Sequence, residues 1–260
     1  MSAAHTIALV TGAARGIGRG VAVVLGERGA TVYVTDRDSR RAPHVTLRGT
    51  VEDTAEQVTA RGGHGIPLAI DHSDDDAVAD LVARIDREQH GLDVLVANAF
   101  AGNALPFRSA PFWKLPVEHW RNMFDNGVRG HLVVTSYAAQ LLIRRRGLIV
   151  FTGYVDGSTG VTAGHLYYDL AMAATRRLAR SVAHELRPYD VTALCVSPGF
   201  TRTEAILAEL DAVPPGTDSV ELPGRVVSAL LDDPDVARHS GLTLTVAALA
   251  SDYSVADIDD

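Results

Sequence analysis

The chain has 260 residues, 47% of them hydrophobic, enough to bury a sizeable core in one α/β domain or two small ones. Its formal net charge of -8 argues against a nucleic-acid backbone or an anionic membrane as partner and favours a small organic substrate. A single cysteine, Cys195, rules out an intrachain disulfide and suits a reducing cytoplasm.

Ile7–Thr11 is a short apolar run closed by Gly12 and predicts a buried strand. No charged segment followed by an apolar run precedes it, so no secretory signal is expected, and no apolar stretch is long enough to span a bilayer. Gly16–Arg28 places Ile17, Val21, Val24 and Leu25 on one face of a helix. Thr31–Thr35 predicts the second strand. Ile66–Ile70, Leu92–Ala97, Leu148–Thr152, Val191–Val196 and Leu242–Leu244 predict the others. Further helices are predicted over Val51–Arg61, Asp74–Gln89, Val117–Arg145, His165–Arg187 and Arg225–Leu231. This alternation implies an α/β fold: a Rossmann-type doubly wound parallel sheet of about seven strands, with helices on both faces. Without a repeat or an interdomain linker, residues 1–260 are expected to form one domain. Arg37–Thr50, Phe100–Pro116 and Phe200–Gly224 read as irregular. The last two are expected beyond the C-terminal strand ends, where such sheets bind ligands.

Thr11-Gly12-Ala13-Ala14-Arg15-Gly16-Ile17-Gly18 closes the first strand and opens the first helix. Glycines there let the backbone turn tightly and approach a diphosphate seated on the helix N-terminus. The strand before, the helix after and an acid ending the second strand give the pattern its required context. That acid, Asp36, can accept hydrogen bonds from adenosine ribose hydroxyls and would repel a 2′-phosphate, favouring NAD(H). The neighbouring Arg37 could pair with that phosphate, leaving NADP(H) open.

These residues, read with later ones, resemble the short-chain dehydrogenase/reductase family. The glycine loop is one match. Asp71 stands where the family places an aspartate near the adenine. Ala97-Asn98-Ala99 is similar to its Asn-Asn-Ala motif, and Pro198-Gly199 followed by Thr203 to the segment facing the nicotinamide. Ala110-Pro111-Phe112-Trp113, Trp120, Val128-Arg129-Gly130-His131, His184-Glu185-Leu186-Arg187 and Arg238-His239-Ser240-Gly241 resemble the subgroup typified by dehydrogenase/reductase family member one. The resemblance implies a homodimer or homotetramer, paired through the two long helices that begin near Val117 and His165.

The resemblance also implies a tyrosine proton donor, a lysine one turn later, a serine and an asparagine. Tyr168 takes the tyrosine position, but Met172 takes that of the lysine. Residues four apart share a helix face, so the thioether points where a cation would stand. Without that cation Tyr168 is expected to keep its proton at neutral pH, a poor general base that can still donate a hydrogen bond or a proton. Gly153 and Tyr154 stand at the serine position, where Tyr154 could donate instead. Thr152 and Ser158 are nearby hydroxyls, and strand alternation turns Thr152 to the opposite face from Gly153. The asparagine position falls on Gly127, and only a helix bulge would bring the adjacent Asn126 into register.

Other groups have plainer readings. The ten histidines are scattered without ligand spacing, so no metal is expected. His72-Ser73-Asp74-Asp75-Asp76 reads as a helix start with Ser73 as N-cap and Asp76 completing a capping box. Arg144-Arg145-Arg146-Gly147 reads as a helix end, stopped by the glycine. His165 is expected on the surface, or else at the pocket mouth as an alternative acid or base. Phe100, Phe107, Phe112, Trp113 and Trp120 line a substrate wall or pack a long loop. Three functions follow. One is an NAD(H)-dependent oxidoreductase of a small apolar carbonyl or alcohol, using Tyr168 helped by Tyr154. The second is a redox-neutral cyclase, isomerase or dehydratase of secondary metabolism. The third is an inactive nucleotide-binding partner subunit.

Overall fold

The computed structural model describes residues 5–44, 46–101, 110–155, 165–209, 213 and 215–258. Phe107, Ser158 and Pro214 lie outside them. The strands are β1 (Ile7–Thr11), β2 (Thr31–Asp36), β3 (His64–Ala69), β4 (Val94–Ala97), β5 (Leu148–Thr152), β6 (Thr192–Ser197) and β7 (Thr243–Thr245). They form one seven-stranded parallel sheet in the order β3-β2-β1-β4-β5-β6-β7. The order reverses between β1 and β4, which opens a crevice at their C-terminal ends.

Helices cover both faces. They are α1 (Gly16–Glu27), α2 (Val51–Ala60), α3 (Asp75–Gln89), α4 (Gly130–Arg145), α5 (Leu166–Leu186), α6 (Glu204–Glu209), α7 (Leu222–Asp232) and α8 (Val246–Asp252). Strand alternation divides the core. Ala8, Val10, Val32, Val94 and Val150 face one layer with Val21, Leu25, Val58, Val226 and Leu249. Ile7, Leu9, Tyr33, Leu95, Ile149 and Phe151 face the other with Leu81, Ile85, Leu141 and Ala179. Because both faces are buried, the central strands read as unbroken apolar runs.

Several boundaries differ from the sequence reading. β3 starts at His64, not Ile66, and pairs with β2 from Thr31↔His64 to Asp36↔Ala69. Its His64-Gly65 start has no strand signature. A Cβ on Gly65 would lie 2.2 Å from the Ala55 carbonyl oxygen, so helix α2 packs directly on this backbone. β4 starts at Val94 rather than Leu92, and β7 is shifted one residue to Thr243–Thr245. α7 starts at Leu222, three residues before Arg225, because Pro223 is tolerated in a first turn. α6 and α8 were not anticipated: the first is short and lies in a glycine- and proline-rich stretch, the second follows β7 directly.

The long helix expected over Val117–Arg145 is two elements. Arg121–Arg129 is π-helical and runs into α4. Gly130 N–H donates to the Asp125 carbonyl, five residues back. Gly127 and Gly130 let this wide turn approach its neighbours: added Cβ atoms would lie 3.3 Å from Phe100 Cδ2 and 3.3 Å from the His72 carbonyl oxygen.

Two caps are reassigned. Asp74, not Ser73, caps α3, its carboxylate accepting from the Asp76 and Ala77 amides, both at 3.1 Å. Ser73 instead donates its hydroxyl to Asp71 at 2.7 Å. α4 ends at Arg145 with Arg146, rather than Gly147, in the left-handed conformation (φ 51°). Gly147 is required one step later, where a Cβ would lie 2.8 Å from the Leu92 carbonyl oxygen.

Candidate active site

The glycine loop is fastened to the end of β4. Thr11 Oγ1 accepts from the Asn98 and Ala99 amides, both at 2.9 Å. Asn98 Nδ2 donates back to the Thr11 and Gly12 carbonyls at 3.0 and 3.1 Å. Thr152 Oγ1 donates to Asn98 Oδ1 at 3.1 Å, so the end of β5 joins the same network. Gly12 has φ +65°, and a Cβ there would lie 2.8 Å from Ala99 Cα. A Cβ on Gly18 would lie 2.3 Å from the Gly12 carbonyl oxygen. These residues are the floor of the crevice.

Above that floor is a cleft of about 990 Å³. Gly12, Arg15, Gly16, Ile17, Asp36 and Arg37 line one end, with Asp71, Asn98, Ala99, Phe100, Asn126 and Thr203 continuing the wall. Thr11 and Gly18 lie beneath the lining, while Pro198 and Gly199 are not part of it. The Asp36 carboxylate accepts from the Ala14 amide at 3.3 Å and the Asp38 amide at 3.1 Å, which fixes it at the end of β2. Arg15 pairs with Asp38 at 2.9 Å, whereas Arg37 reaches Asp71 only at 4.0 Å. Burial would raise the Asp71 carboxyl, but hydrogen bonds from the Ser73 hydroxyl and amide, with Arg37 nearby, hold it below the usual range.

Phe100 joins this cleft to a second cluster. Its ring meets Tyr168 edge-on, with centroids 6.0 Å apart, and the Tyr154 ring stands 6.0 Å from Tyr168 on another side. Met172, 7% exposed, packs with Met123, Ala171, Tyr154 and Tyr168. Burial and the neighbouring Tyr154 push the Tyr168 phenol well above its ordinary value of 10.0. The next cation along the helix face, Arg176, donates to the Tyr154 carbonyl at 2.7 Å. Asn126 lies in the π-helical turn and lines the cleft, the kind of displacement that a helix bulge provides.

His165 is not on the surface. It is 1% exposed and caps α5, its Nδ1 accepting from the Tyr168 amide at 3.3 Å. Its ring meets that of His119 edge-on at 4.7 Å, and burial first, then His119, lowers its pKa. Sequence reasoning also missed what lies behind the cleft. His72 is hydrogen-bonded to Thr35 Oγ1 at 2.8 Å, and His131 Nε2 to the Ala99 carbonyl at 3.1 Å. Burial lowers both imidazoles to about 4. Neither had a signal beyond its place in a recognised segment. Glu204 was missed too: its carboxylate accepts from the Gly16 amide at 2.7 Å and pairs with Arg19 at 2.9 Å. An anion thus already rests on the N-terminus of α1, as a dinucleotide diphosphate would. Among the described residues, no group of three or more His, Cys, Asp or Glu could hold a metal, and no helix is long and apolar enough to cross a membrane.

A parallel sheet with this glycine loop, and a helix-borne tyrosine beside the crevice, defines a nucleotide-binding α/β oxidoreductase scaffold. The chain belongs to the short-chain dehydrogenase/reductase family: residues 6–211 match the pattern described as short chain dehydrogenase. Mouse dehydrogenase/reductase SDR family member 1 is 36% identical over 274 residues, spanning 97% of this chain and 83% of its own, which bears out the subgroup resemblance. A putative dehydrogenase from Xanthomonas campestris shares the fold with a TM-score of 0.83 at 24% identity, over 97% of this chain and 91% of that one. A metagenomic short-chain oxidoreductase solved in complex with NADP superposes with a TM-score of 0.71 at 25% identity, over 88% of this chain and 92% of the other.

Proposed function

We propose that the protein is an NAD(H)-dependent oxidoreductase of a small, apolar carbonyl or alcohol, with Tyr168 as proton donor. The observation that carries this reading is the contact between Phe100, which lines the glycine-loop cleft, and Tyr168, which stands behind it rather than in the lining. The carboxylate held on the Gly16 amide supports an anion-binding role for the loop. Asp36 would take the adenosine ribose hydroxyls, and Arg15, tied to Asp38, is not free to reward a 2′-phosphate. Asp71 would lie at the adenine, Asn98 and Ala99 at the ribose, and Thr203 with Pro198 and Gly199 toward the nicotinamide. The NADP-bound relative makes NADP(H) the rival, with Arg37 the residue to serve it.

When bound, the nicotinamide supplies or takes up the hydride. The chain's own part is the proton. Tyr168 keeps its phenolic hydrogen across the neutral range and can give it to an oxygen that gains charge during carbonyl reduction. Tyr154, on the neighbouring face, can donate a second hydrogen bond to that oxygen. Reduction leaves, and oxidation starts from, a tyrosinate beside Met172 rather than a cation, so in either direction the proton on Tyr168 has to be exchanged with solvent without help from a neighbouring charge. Phe100 in the cleft wall, backed by the apolar packing around Met172, suits an apolar substrate. Assembly as a homodimer or homotetramer belongs to the same proposal. Leu132 and Tyr137 on α4, with Leu166 and Leu170 on α5, are exposed apolar side chains that a second copy would cover.

The same apolar surround favours one second reading, a redox-neutral cyclase, isomerase or dehydratase that uses the tyrosines to position substrate and stabilise developing charge. A panel of small ketones and alcohols, followed by nicotinamide absorbance and product mass together, separates the two. Loss of NADH absorbance matched by alcohol formation is expected. Product without any absorbance change would overturn the oxidoreductase reading in favour of the redox-neutral one.

A further inference from the structure

We infer that Glu204 sets the affinity of the cleft for its cofactor, by holding the seat of the diphosphate with its own carboxylate. This rests on the dinucleotide reading of the cleft. Glu204 Oε2 accepts from the Gly16 amide at 2.7 Å, and Oε1 accepts from Arg19 Nε at 2.9 Å. Both partners belong to the first turns of α1, where exposed amides and the helix dipole attract negative charge. The placement is built. Thr203 Oγ1 accepts from the Ile206 amide at 3.3 Å, which fixes the first turn of α6. Thr203 Cγ2 lies 3.3 Å from where a Gly16 Cβ would stand, so that turn sits directly on the glycine loop. A side chain at Gly16 would crowd this approach, and the φ of +56° there is one that glycine adopts freely.

A diphosphate seeking the Gly16 amide would meet the carboxylate at contact distance. Like charges that close repel each other in a partly enclosed site. Binding is therefore an exchange. Glu204 withdraws, the diphosphate takes the amide, and the Arg19 fork is released to pair with phosphate oxygens instead. The interaction that stabilises the loop in this structure is subtracted from the affinity of the cofactor. Glu204 thus acts on diphosphate-bearing ligands and not on the adenosine end, which the far side of the cleft would hold.

Titration calorimetry of the full chain with NADH, ADP-ribose and adenosine tests this, using wild type, Glu204→Gln and Glu204→Ala, each checked for a cooperative melting transition well above the assay temperature. Glu204→Gln keeps the length of the side chain and removes its charge. NADH and ADP-ribose are expected to bind both variants about three- to tenfold more tightly than wild type, with adenosine unchanged. Affinities for ADP-ribose equal to or weaker than wild type in both variants would overturn the inference while leaving the dinucleotide reading intact. A gain that extends equally to adenosine would also overturn it. Failure of all three proteins to bind NADH or ADP-ribose would instead overturn the dinucleotide reading itself, and the inference with it.

Discussion

Tyr168 and Met172 stand one turn apart on α5, and the second offers no charge to offset the burial of the first. A lysine at 172 would offer a cation to the tyrosinate; the thioether offers none. No other lysine can substitute, because the chain's only one, Lys114, lies exposed in the turn Phe112–Lys114. Burial and the neighbouring Tyr154 raise the phenol, and with no lysine to offset them it stays protonated well past its ordinary value. Carbonyl reduction by NADH should then be independent of this group between about pH 6 and 9, a flat profile in initial-rate measurements. Tyr168→Phe should lower that rate by about 10²- to 10⁴-fold, the usual contribution of a positioned acid. Met172→Lys works the other way: alcohol oxidation at pH 8 should rise about tenfold or more as the added charge favours the tyrosinate. An oxidation rate no higher in Met172→Lys would count against Tyr168 as the group that exchanges the proton.

At the scale of elements, the sheet was legible because its central strands are unbroken apolar runs between glycine-marked turns, as Ile7–Thr11 before Gly12 illustrates. The edges were less so. His64-Gly65 carries no strand signal and is strand only because β2 offers it a partner. The π-helical turn at Arg121–Arg129 was legible only as a mismatch, with Asn126 one residue out of register, since a backbone bulge has no side-chain period of its own. In the candidate site the glycine loop, Asp36, Asn98 and Tyr168 could be read from local pattern. Glu204 could not, because its partner Gly16 lies 188 residues away and only tertiary structure brings them together. Caps are equally local and equally easy to misplace by one. Asp74→Ala should destabilise the fold by about 1 kcal/mol in urea melts. Ser73→Ala, which leaves the cap intact, should cost measurably less, and the opposite ranking would restore Ser73 as the cap.

At the scale of the molecule, the buried histidines behind the cleft couple folding to acid. Unfolded, His72 and His131 take up protons near 6.5; folded, burial holds both near 4. The unfolded chain binds more protons across that window, so stability falls as pH drops from about 6.5 toward 4, and these groups contribute no slope above it. Urea midpoints at pH 7.5, 6 and 5 should decline steadily below 6.5, and His131→Gln should have a shallower decline than wild type. The same pair lies against the cleft above the glycine loop: His72 lines it, and His131 holds the Ala99 carbonyl. A dinucleotide should thus steady a region that acid loosens, because a ligand that binds only the folded state stabilises it. The cleft is proposed as a dinucleotide site that prefers NAD(H). Fluorescence titration with NADH and NADPH tests it most directly, on wild type, Asp36→Ala and Gly18→Ala. Saturable binding of NADH, about tenfold or more tighter than NADPH, is predicted for wild type, with the preference lost in Asp36→Ala and binding lost in Gly18→Ala. No saturable binding of either nucleotide, or tighter binding of NADPH, would contradict it.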